Sequence, residues 1–449
     1  MKYSWNKTVI PIAAIFSFRL LGLFLLIPVF TLYAGHLIGS TPALIGLALG
    51  SYGLAQGLLQ IPFGVLSDKI GRKPMIAIGL ALFAVGSLFG AITNSIYGMI
   101  FARTLQGTGA IGSVLIALLA DLTPDEQRTK AMAVIGITIG TSFSLAMIIG
   151  PALTHYQGLS GVFYLTTLLA ALGIVLLYLV IPDPLKEQFH TDSEASVSLI
   201  KAVICDFHLQ RLNLGIFCQH YILTATFYAM PMLLKYHIEQ GHLNQQWHFY
   251  LPLMLLSFAL MVPFIIISER KKRLKSVFII SILLVVLAQG LLVSTSQNWY
   301  YLCFLMFIYF ISFNILEATL PSLVSKQANP KNKGTAMGIY STSQFLGIFF
   351  GGALAGILYQ WHSHQAIFLI NMIVASIWFI ISLGMTPHVY FSTLILSYSP
   401  TKQQPNLIIK KLLDLKGVQE VACSEDEHVF YIRVDNEQYI TGSAEKIIH

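Results

Sequence analysis

The chain has 449 residues, of which 55% are apolar and 10% are charged, and its formal net charge is +7. Soluble globular proteins carry about 25% charged residues, so the composition excludes a water-soluble domain, a collagen and a disordered chain. The four cysteines show no C-x-x-C or zinc-ligand spacing, which excludes a disulfide scaffold and a zinc module. The sequence therefore predicts a membrane protein.

Apolar stretches follow one another along most of the chain, separated by polar breaks. Each is near or above the about 20 residues that a helix needs to cross a bilayer. We therefore expect an all-α membrane fold with 12 transmembrane helices. The stretches cover residues 8–35, 42–63, 74–93, 97–119, 131–154, 161–181, 212–235, 248–268, 276–295, 299–323, 334–358 and 366–386.

Lys and Arg residues are distributed unequally between the two sides of this helical pattern. They gather before the first span and in the loops that follow the even-numbered spans, whereas Lys235 is the one basic residue in the other loops. Basic loops remain in the cytoplasm, so we expect both termini there. The positive net charge thus indicates membrane orientation, and we expect no nucleic-acid partner.

The two halves of the pattern resemble each other. After the second span, Asp68 is followed four residues later by Arg72, and Glu269 and Arg273 repeat this spacing after the eighth. Repeated halves of this kind are typical of transporters with a site near the middle of the membrane. We expect two six-helix halves at 1–182 and 212–387, a cytoplasmic linker at 183–211 and a small domain at 388–449.

The residues after 388 differ in pattern from the membrane spans. Strand-like alternation occurs at 391–398, 418–423 and 429–434, and helix-like patterns occur at 406–415 and 443–448, with a turn at Asp426-Glu427. The order β-α-β-β-α resembles most of a small ferredoxin-like α+β domain. We expect this domain in the cytoplasm.

A run of glycine, acid and basic residues closes the second span. Gly64 and Asp68 share a helix face, and a glycine allows neighbouring helices to approach closely. Asp68 suits the positive N-terminal end of a helix in the other half, and Arg72 suits an acid such as Asp121. The run resembles motif A of the major facilitator superfamily, which implies a conformational switch at the cytoplasmic end. The switch residues are Gly64, Asp68, Gly71, Arg72, Lys73 and Asp121.

Two arginines lie inside predicted spans. An arginine in hydrocarbon costs several kcal/mol unless it is solvated or paired, so we expect Arg103 and Arg19 at a central cavity or in a polar cluster. The run from Arg103 to Gly107 resembles motif B of the superfamily, whose arginine is associated with proton coupling. A purely structural pair with a neighbouring helix is the alternative interpretation for each.

Glu317 is the only carboxylate well inside a predicted span. Apolar surroundings favour the neutral form of a carboxyl group, which suits a proton relay, although an acid satisfied between helices is the alternative. His220 is a further candidate for proton coupling. Apolar spans also use polar groups to hold helices together. The cavity candidates are Arg19, Gln56, Gln60, Gln106, Asn314 and Gln344.

The resemblance extends beyond the superfamily motifs. Phe18-Arg19-Leu20-Leu21-Gly22, the run from Glu317 to Lys326 and the run from Ala336 to Gly347 are similar to the YajR-type drug/proton antiporters. The small domain after the last span adds to this similarity. The resemblance implies a multi-pass protein of the bacterial inner membrane with a ferredoxin-like C-terminal domain.

These observations favour a secondary active transporter, namely a proton-coupled antiporter that exports amphipathic organic compounds by alternating access. One alternative is a transporter of organic anions that uses Arg19 and Arg103, and another is a membrane-tethered sensor acting through the tail domain. Walker-type and Gly-x-Ser-x-Gly runs are absent from the sequence, so we expect no enzyme, no metal and no cofactor beyond the proton gradient. The expected partners are a small-molecule substrate, protons and the lipid bilayer, and we expect a monomer.

Overall fold

Helices form most of the protein. The computed structural model describes residues 4–123, 125–183, 197–270, 273–328, 333–385, 391–397, 405–424, 429–435, 438–440 and 442–448. Within these residues, a bundle of long helices precedes a small unit that contains a three-stranded sheet.

In the described part of the first half, a short 3₁₀ helix is followed by seven α-helices. Two predicted spans are interrupted, one at residues 25–29, around Pro28, and the other at residues 109–111. Pro28 has no N–H to donate to the preceding turn. The segments are Trp5–Lys7, α1 Val9–Phe24, α2 Phe30–Ala34, α3 Pro42–Ile70, α4 Arg72–Ile92, α5 Ile96–Thr108, α6 Gly112–Asp121 and α7 Asp125–Leu179.

The second half also contains seven helical segments within the described residues. The segment expected as a cytoplasmic linker, 183–211, contains one helix and the start of the next. Residues 184–196 of that linker lie outside the described residues. The segments are α8 Val197–Cys205, α9 Phe207–Glu239, α10 Trp247–Arg270, α11 Leu274–Thr295, α12 Trp299–Gln327, α13 Lys333–Trp361 and α14 His364–Leu383.

Side-chain caps set where several of these helices begin. Asp206 accepts hydrogen bonds from the backbone N–H groups of His208 and Leu209, at 2.9 and 3.2 Å, so α9 begins five residues before the predicted 212. Asn298 caps α12 in the same way. Thr41 caps α3, whose first residue is Pro42. Each cap satisfies backbone donors that have no partner within the helix.

Among the described residues, ten helical segments are long and apolar enough to cross a membrane. This number is below the 12 expected for two reasons. The 50-residue stretch Lys130–Leu179 counts once, although Gly158 divides it with a φ of 64° and a ψ of −167°. In addition, α9, which carries buried polar residues such as Gln219 and His220, is not among the ten.

The two halves pack together most closely near the beginning of α3, which we call the Pro42 end. A Cβ added at Gly46 would lie 2.3 Å from the carbonyl oxygen of Gly352, and one at Gly50 would lie 2.6 Å from that of Phe349. The missing side chains thus allow the backbones of α3 and α13 to touch. The Tyr228 hydroxyl donates to the Pro42 carbonyl oxygen at 2.8 Å across the same junction.

Aromatic rings also connect the halves in the middle of the bundle. Phe143 on α7 lies 5.8 Å from Phe313 and 6.4 Å from Phe310 between ring centroids, and both partners belong to α12. Phe227 on α9 lies 6.5 Å from Phe143 with an edge-on orientation. These buried rings close the space between the halves at that level.

The unit after the bundle forms an antiparallel sheet with the strand order β1-β3-β2. Ile408 and Leu412 on its first helix pack with Phe430 and Ile432 on the central strand. The predicted turn at Asp426-Glu427 lies outside the described residues. The elements are β1 Phe391–Ser397, α15 Pro405–Leu413, β2 Val418–Ser424, β3 Val429–Asp435 and α16 Glu445–Ile448.

Candidate functional site

A charge cluster lies where α3 turns into α4, which we call the Ile70 end. Gly71 makes this turn with a φ of 103°, a conformation that disfavours residues with a side chain. Arg72 follows directly and its Nε donates to Asp121 Oδ2 at 3.3 Å. Its Nη1 contacts Asp68 and donates to Ser67 Oγ at 2.6 Å. The Asp121 side chain is 1% exposed, so this is a buried arrangement of opposite charges.

Lys73 connects the cluster to the end of α7. Its Nζ donates to the carbonyl oxygen of Ile181 at 2.6 Å and lies 2.7 Å from Asp183 Oδ1. Lys73 is buried, whereas the Asp183 side chain is 88% exposed. The basic residues of the motif therefore hold α3, α4, α6 and the end of α7 together.

Gly64 does not provide a close helix approach in this conformation. Among the described residues, a Cβ at Gly64 would meet only Ser113 Oγ, at 3.6 Å and within the same half. The predicted role of Gly64 in the conformational switch stays a prediction. Glycines that bring the halves together lie nearer the other end of the same helix and include Gly46, Gly50 and Gly53.

A second polar cluster surrounds Tyr52 inside the first half. Arg103 Nη1 donates to Gln106 Oε1 at 2.7 Å, and Gln106 Nε2 donates to Ser87 Oγ at 2.7 Å. The Arg103 guanidinium lies 4.9 Å from the centre of the Tyr52 ring, a cation–π distance. Arg19 Nη2 donates to the Tyr52 hydroxyl at 3.4 Å. Tyr52 thus lies between the two arginines.

The glutamines predicted to line a cavity are deeply buried. Gln56 and Gln106 are both 0% exposed, and Gln56 Nε2 donates to Gln60 Oε1 at 2.7 Å. Asn314 donates to Ser257 Oγ at 3.2 Å between α12 and α10. The structure places Gln56, Gln106 and Asn314 in hydrogen bonds among buried groups, and their role as cavity residues stays a prediction.

An acid-centred cluster lies in the second half, where α9, α12 and α13 meet. Gln219 Nε2 donates to Glu317 Oε2 at 2.9 Å, and His220 Nε2 lies 3.9 Å from the same oxygen. Gln344 Nε2 lies 2.8 Å from His220 Nε2. The Glu317 side chain is 28% exposed, so it combines fixed partners with access to its surroundings.

The structure therefore gathers most of the predicted site residues into three groups. Tyr52, Ser67 and Gln219 complete these groups but did not follow from the sequence reasoning. Gln219 directly precedes His220, and Tyr52 lies four residues before Gln56. Their closeness in sequence to predicted site residues is the signal that could have identified them. The functional roles of all these residues stay predictions.

The chain belongs to the Major Facilitator Superfamily, whose profile matches residues 12–273 and 212–393. It is a multi-pass membrane transporter of YajR type and not an enzyme. It is 41% identical to the inner membrane transport protein YajR of Escherichia coli strain K12, over 95% of this chain and 93% of that protein. An uncharacterized transporter of Buchnera aphidicola subsp. Baizongia pistaciae is 36% identical over 84% of this chain and 96% of its own length.

More distant proteins share the fold. The quinolone resistance protein NorA of Staphylococcus aureus strain COL is 24% identical over 78% of this chain and 89% of NorA. The structure of the nucleoside transporter NupG has a TM-score of 0.64 at 16% identity, covering 84% of this chain and 99% of NupG. The human organic anion transporter MFSD10 has a TM-score of 0.62 at 20% identity, covering 85% of this chain and all of MFSD10. At these identities the two solved structures show the shared fold alone.

Proposed function

We propose that the protein is a proton-coupled antiporter that exports amphipathic organic compounds by alternating access. The observation that carries this proposal is Glu317, a partly exposed carboxyl group inside the bundle with Gln219 and His220 as neighbours. The name of the distant relative NorA, a quinolone resistance protein, agrees with export of organic compounds.

Two opposing influences make Glu317 suitable for carrying a proton. The apolar interior favours the neutral carboxyl, whereas the hydrogen bond from Gln219 stabilises the carboxylate. The carboxyl group is also partly exposed, so a proton or a substrate can reach it while Gln219 holds its orientation. A cationic substrate near the carboxylate competes with the proton, and this competition couples the two movements.

The charge cluster at the Ile70 end serves as the conformational switch in this proposal. Arg72 lies between Asp68 and Asp121, and Gly71 provides the turn that brings it there. Protonation of either acid would leave the buried guanidinium with one carboxylate fewer. That loss weakens the cluster, which frees α3 and α4 to move.

The proposed architecture has 12 spans in two six-helix halves at 1–182 and 212–387. Its support is that Gly158 divides the longest helical stretch into two segments and that α9 has 33 residues, enough to cross a bilayer. The basic loops support cytoplasmic termini in a bacterial inner membrane. The β-α-β-β-α order supports a ferredoxin-like tail. We propose a monomer that uses the proton gradient and no cofactor.

Everted membrane vesicles with a ΔpH-sensitive dye test this function. Tetraphenylphosphonium, added to vesicles that contain the wild-type protein, should dissipate the gradient, and Glu317→Gln should abolish the effect. Glu239→Gln is the matched control, since Glu239 is 62% exposed and pairs with Lys235 at 4.0 Å at the Pro42 end. Equal dissipation by the wild-type protein and Glu317→Gln would contradict the proposed role of Glu317.

A further inference from the structure

The fourth predicted span is broken in the middle of the bundle. Ile111, with a φ of −86° and a ψ of 0°, precedes the ten-residue helix α6, which begins at Gly112. Leu115 N donates to the Ile111 carbonyl oxygen at 2.9 Å. Among the described residues, the N–H groups of residues 112–114 have no hydrogen-bond acceptor. A helix start of this kind carries a partial positive charge.

A buried arginine lies beside this helix start. Arg19 on α1 is 4% exposed, and its Nη1 lies 3.3 Å from the position that a Cβ of Gly112 would occupy. A guanidinium has five N–H donors. Within the described part of the chain, its one acceptor is the Tyr52 hydroxyl at 3.4 Å, and its Nε has none. The guanidinium is therefore buried and has more donors than acceptors around it.

An amide donor points to the same place. Gln60 Nε2 also lies 3.3 Å from the Cβ position of Gly112, while Gln60 Oε1 already accepts from Gln56. The ion pairs of the described residues do not include Arg19. The carboxylate of α6 itself, Asp121, lies at the far end of that helix, about 13 Å away at 1.5 Å per residue, and contacts Arg72. Three kinds of donor thus converge on a glycine with no side chain.

We propose that Arg19, Gln60 and the first turn of α6 at Gly112 form a binding subsite for a small anionic group. A carboxylate suits it, since a guanidinium donates two parallel hydrogen bonds to such a group, and broken membrane helices bind anionic substrate groups at their N-terminal ends. The source is either the transported compound or a free inorganic anion. The inference rests on the proposed transport function and extends it.

The subsite also defines a class of substrate. Its positive groups belong to the first half, whereas Glu317 belongs to the second. A compound with a carboxylate at one end and a cationic group at the other would have a partner of opposite charge in each half. The preferred substrate is therefore an amphipathic zwitterion, and a simple aromatic carboxylate occupies the Arg19 side alone.

Titration of the purified full-length protein in detergent tests the subsite. The probe is sodium benzoate and its neutral counterpart is benzamide, both in a constant sodium methanesulfonate background and measured by calorimetry. We expect benzoate to bind at least tenfold more tightly than benzamide. Arg19→Gln removes the charge, and Gly112→Ala places a methyl group among the donors, so each should weaken benzoate binding at least tenfold.

Two control variants match these changes. Lys235→Gln removes an exposed positive charge outside the subsite, and Gly136→Ala adds a methyl group where no described atom lies within 4 Å. Both should bind benzoate as the wild-type protein does. Benzoate affinity that is unchanged in Arg19→Gln and Gly112→Ala, or equal for benzoate and benzamide, overturns the proposal. If Arg19→Gln fails to fold, Gly112→Ala decides alone.

Chloride distinguishes the two sources of the anion. Competition between chloride and benzoate supports a subsite that a free inorganic anion also occupies. Benzoate binding that chloride does not affect supports a carboxylate of the transported compound. Glu317→Gln should retain benzoate binding. Proton movement in Glu317→Gln equal to that of the wild-type protein would contradict the proposed function, and retained benzoate binding would then leave the subsite intact.

Discussion

Gln219 on α9 donates a hydrogen bond to Glu317 on α12, and the Nε2–Oε2 distance is 2.9 Å. This contact fixes the orientation of a carboxyl group that is 28% exposed inside the bundle. His220, the next residue on α9, lies near the same oxygen and contacts Gln344 on α13. Residues of α9 thus contact both Glu317 on α12 and Gln344 on α13. We therefore expect a change of charge at Glu317 to affect the packing of α9, α12 and α13.

Replacement of Gln219 tests this arrangement. Gln219→Leu removes a hydrogen bond to a charged group, which is worth about 1.5–3 kcal/mol, and we expect proton-coupled transport to fall about tenfold. The measurement is the initial rate of gradient dissipation by tetraphenylphosphonium in everted vesicles. Gln240→Leu, at the exposed end of the same helix, should keep the wild-type rate. A wild-type rate in Gln219→Leu would show that this bond is irrelevant to coupling.

The charge cluster predicts unequal effects of two similar substitutions. Asp121→Asn removes a 1% exposed partner of Arg72, and the loss of one member of a buried ion pair costs about 3 kcal/mol. Asp183→Asn removes an 88% exposed partner of Lys73, for which the expected cost is below about 1 kcal/mol. Thermal melting in detergent should show a much larger decrease for Asp121→Asn. Equal melting temperatures would contradict the account of the cluster.

The contact between α3 and α13 at the Pro42 end predicts sensitivity to added side chains. Gly46→Ala places a methyl group 2.3 Å from the Gly352 carbonyl oxygen, so the backbones must separate. We expect lower thermal stability of the detergent-solubilised protein, by about 1–3 kcal/mol for such overpacking. Gly338→Ala meets only Ile61 at 3.8 Å and serves as the control on α13. A melting temperature of Gly46→Ala equal to that of the control would argue against backbone contact.

The tail domain offers a matched pair of neighbouring leucines. Leu412 is 0% exposed in the core of the sheet unit, whereas Leu413 is 45% exposed. Leu412→Ala should cost about 2–5 kcal/mol by leaving a cavity, and Leu413→Ala should cost far less. Limited proteolysis of inside-out membranes should cleave the tail of Leu412→Ala much faster than that of Leu413→Ala. Similar cleavage rates would show that Leu412 does not support the tail.

The sequence predicted the positions of helices and strands better than the contacts between them. Apolar runs and the spacing of Asp68 and Arg72 depend on local chemistry, which one stretch of chain already contains. The pairing of Glu317 with Gln219 depends on how α9 and α12 pack, which no local pattern encodes. The same reason applies to Gly64, since a glycine does not specify which helix lies beside it.

Two boundaries were missed although signals for them were present. Asp206 is a favourable N-cap and marks the true start of α9. Glycines weaken a helix, and the fourth span contains Gly107, Gly109 and Gly112. It breaks at residues 109–111, which include Gly109. Both signals lie within or beside long apolar runs. The bounds of these two spans were predicted from hydropathy, so the helix start at Asp206 and the break at 109–111 were not predicted. The break places the start of α6 beside Arg19.

The central claim is that substrate and proton compete at Glu317, and proton release from the purified protein tests it most directly. Tetraphenylphosphonium is added to the wild-type protein in weakly buffered detergent solution while a pH indicator is monitored. The account predicts saturable proton release by the wild-type protein and by Glu239→Gln, and none by Glu317→Gln. Proton release of equal size from Glu317→Gln would contradict the account, because the competing proton would then reside on another group.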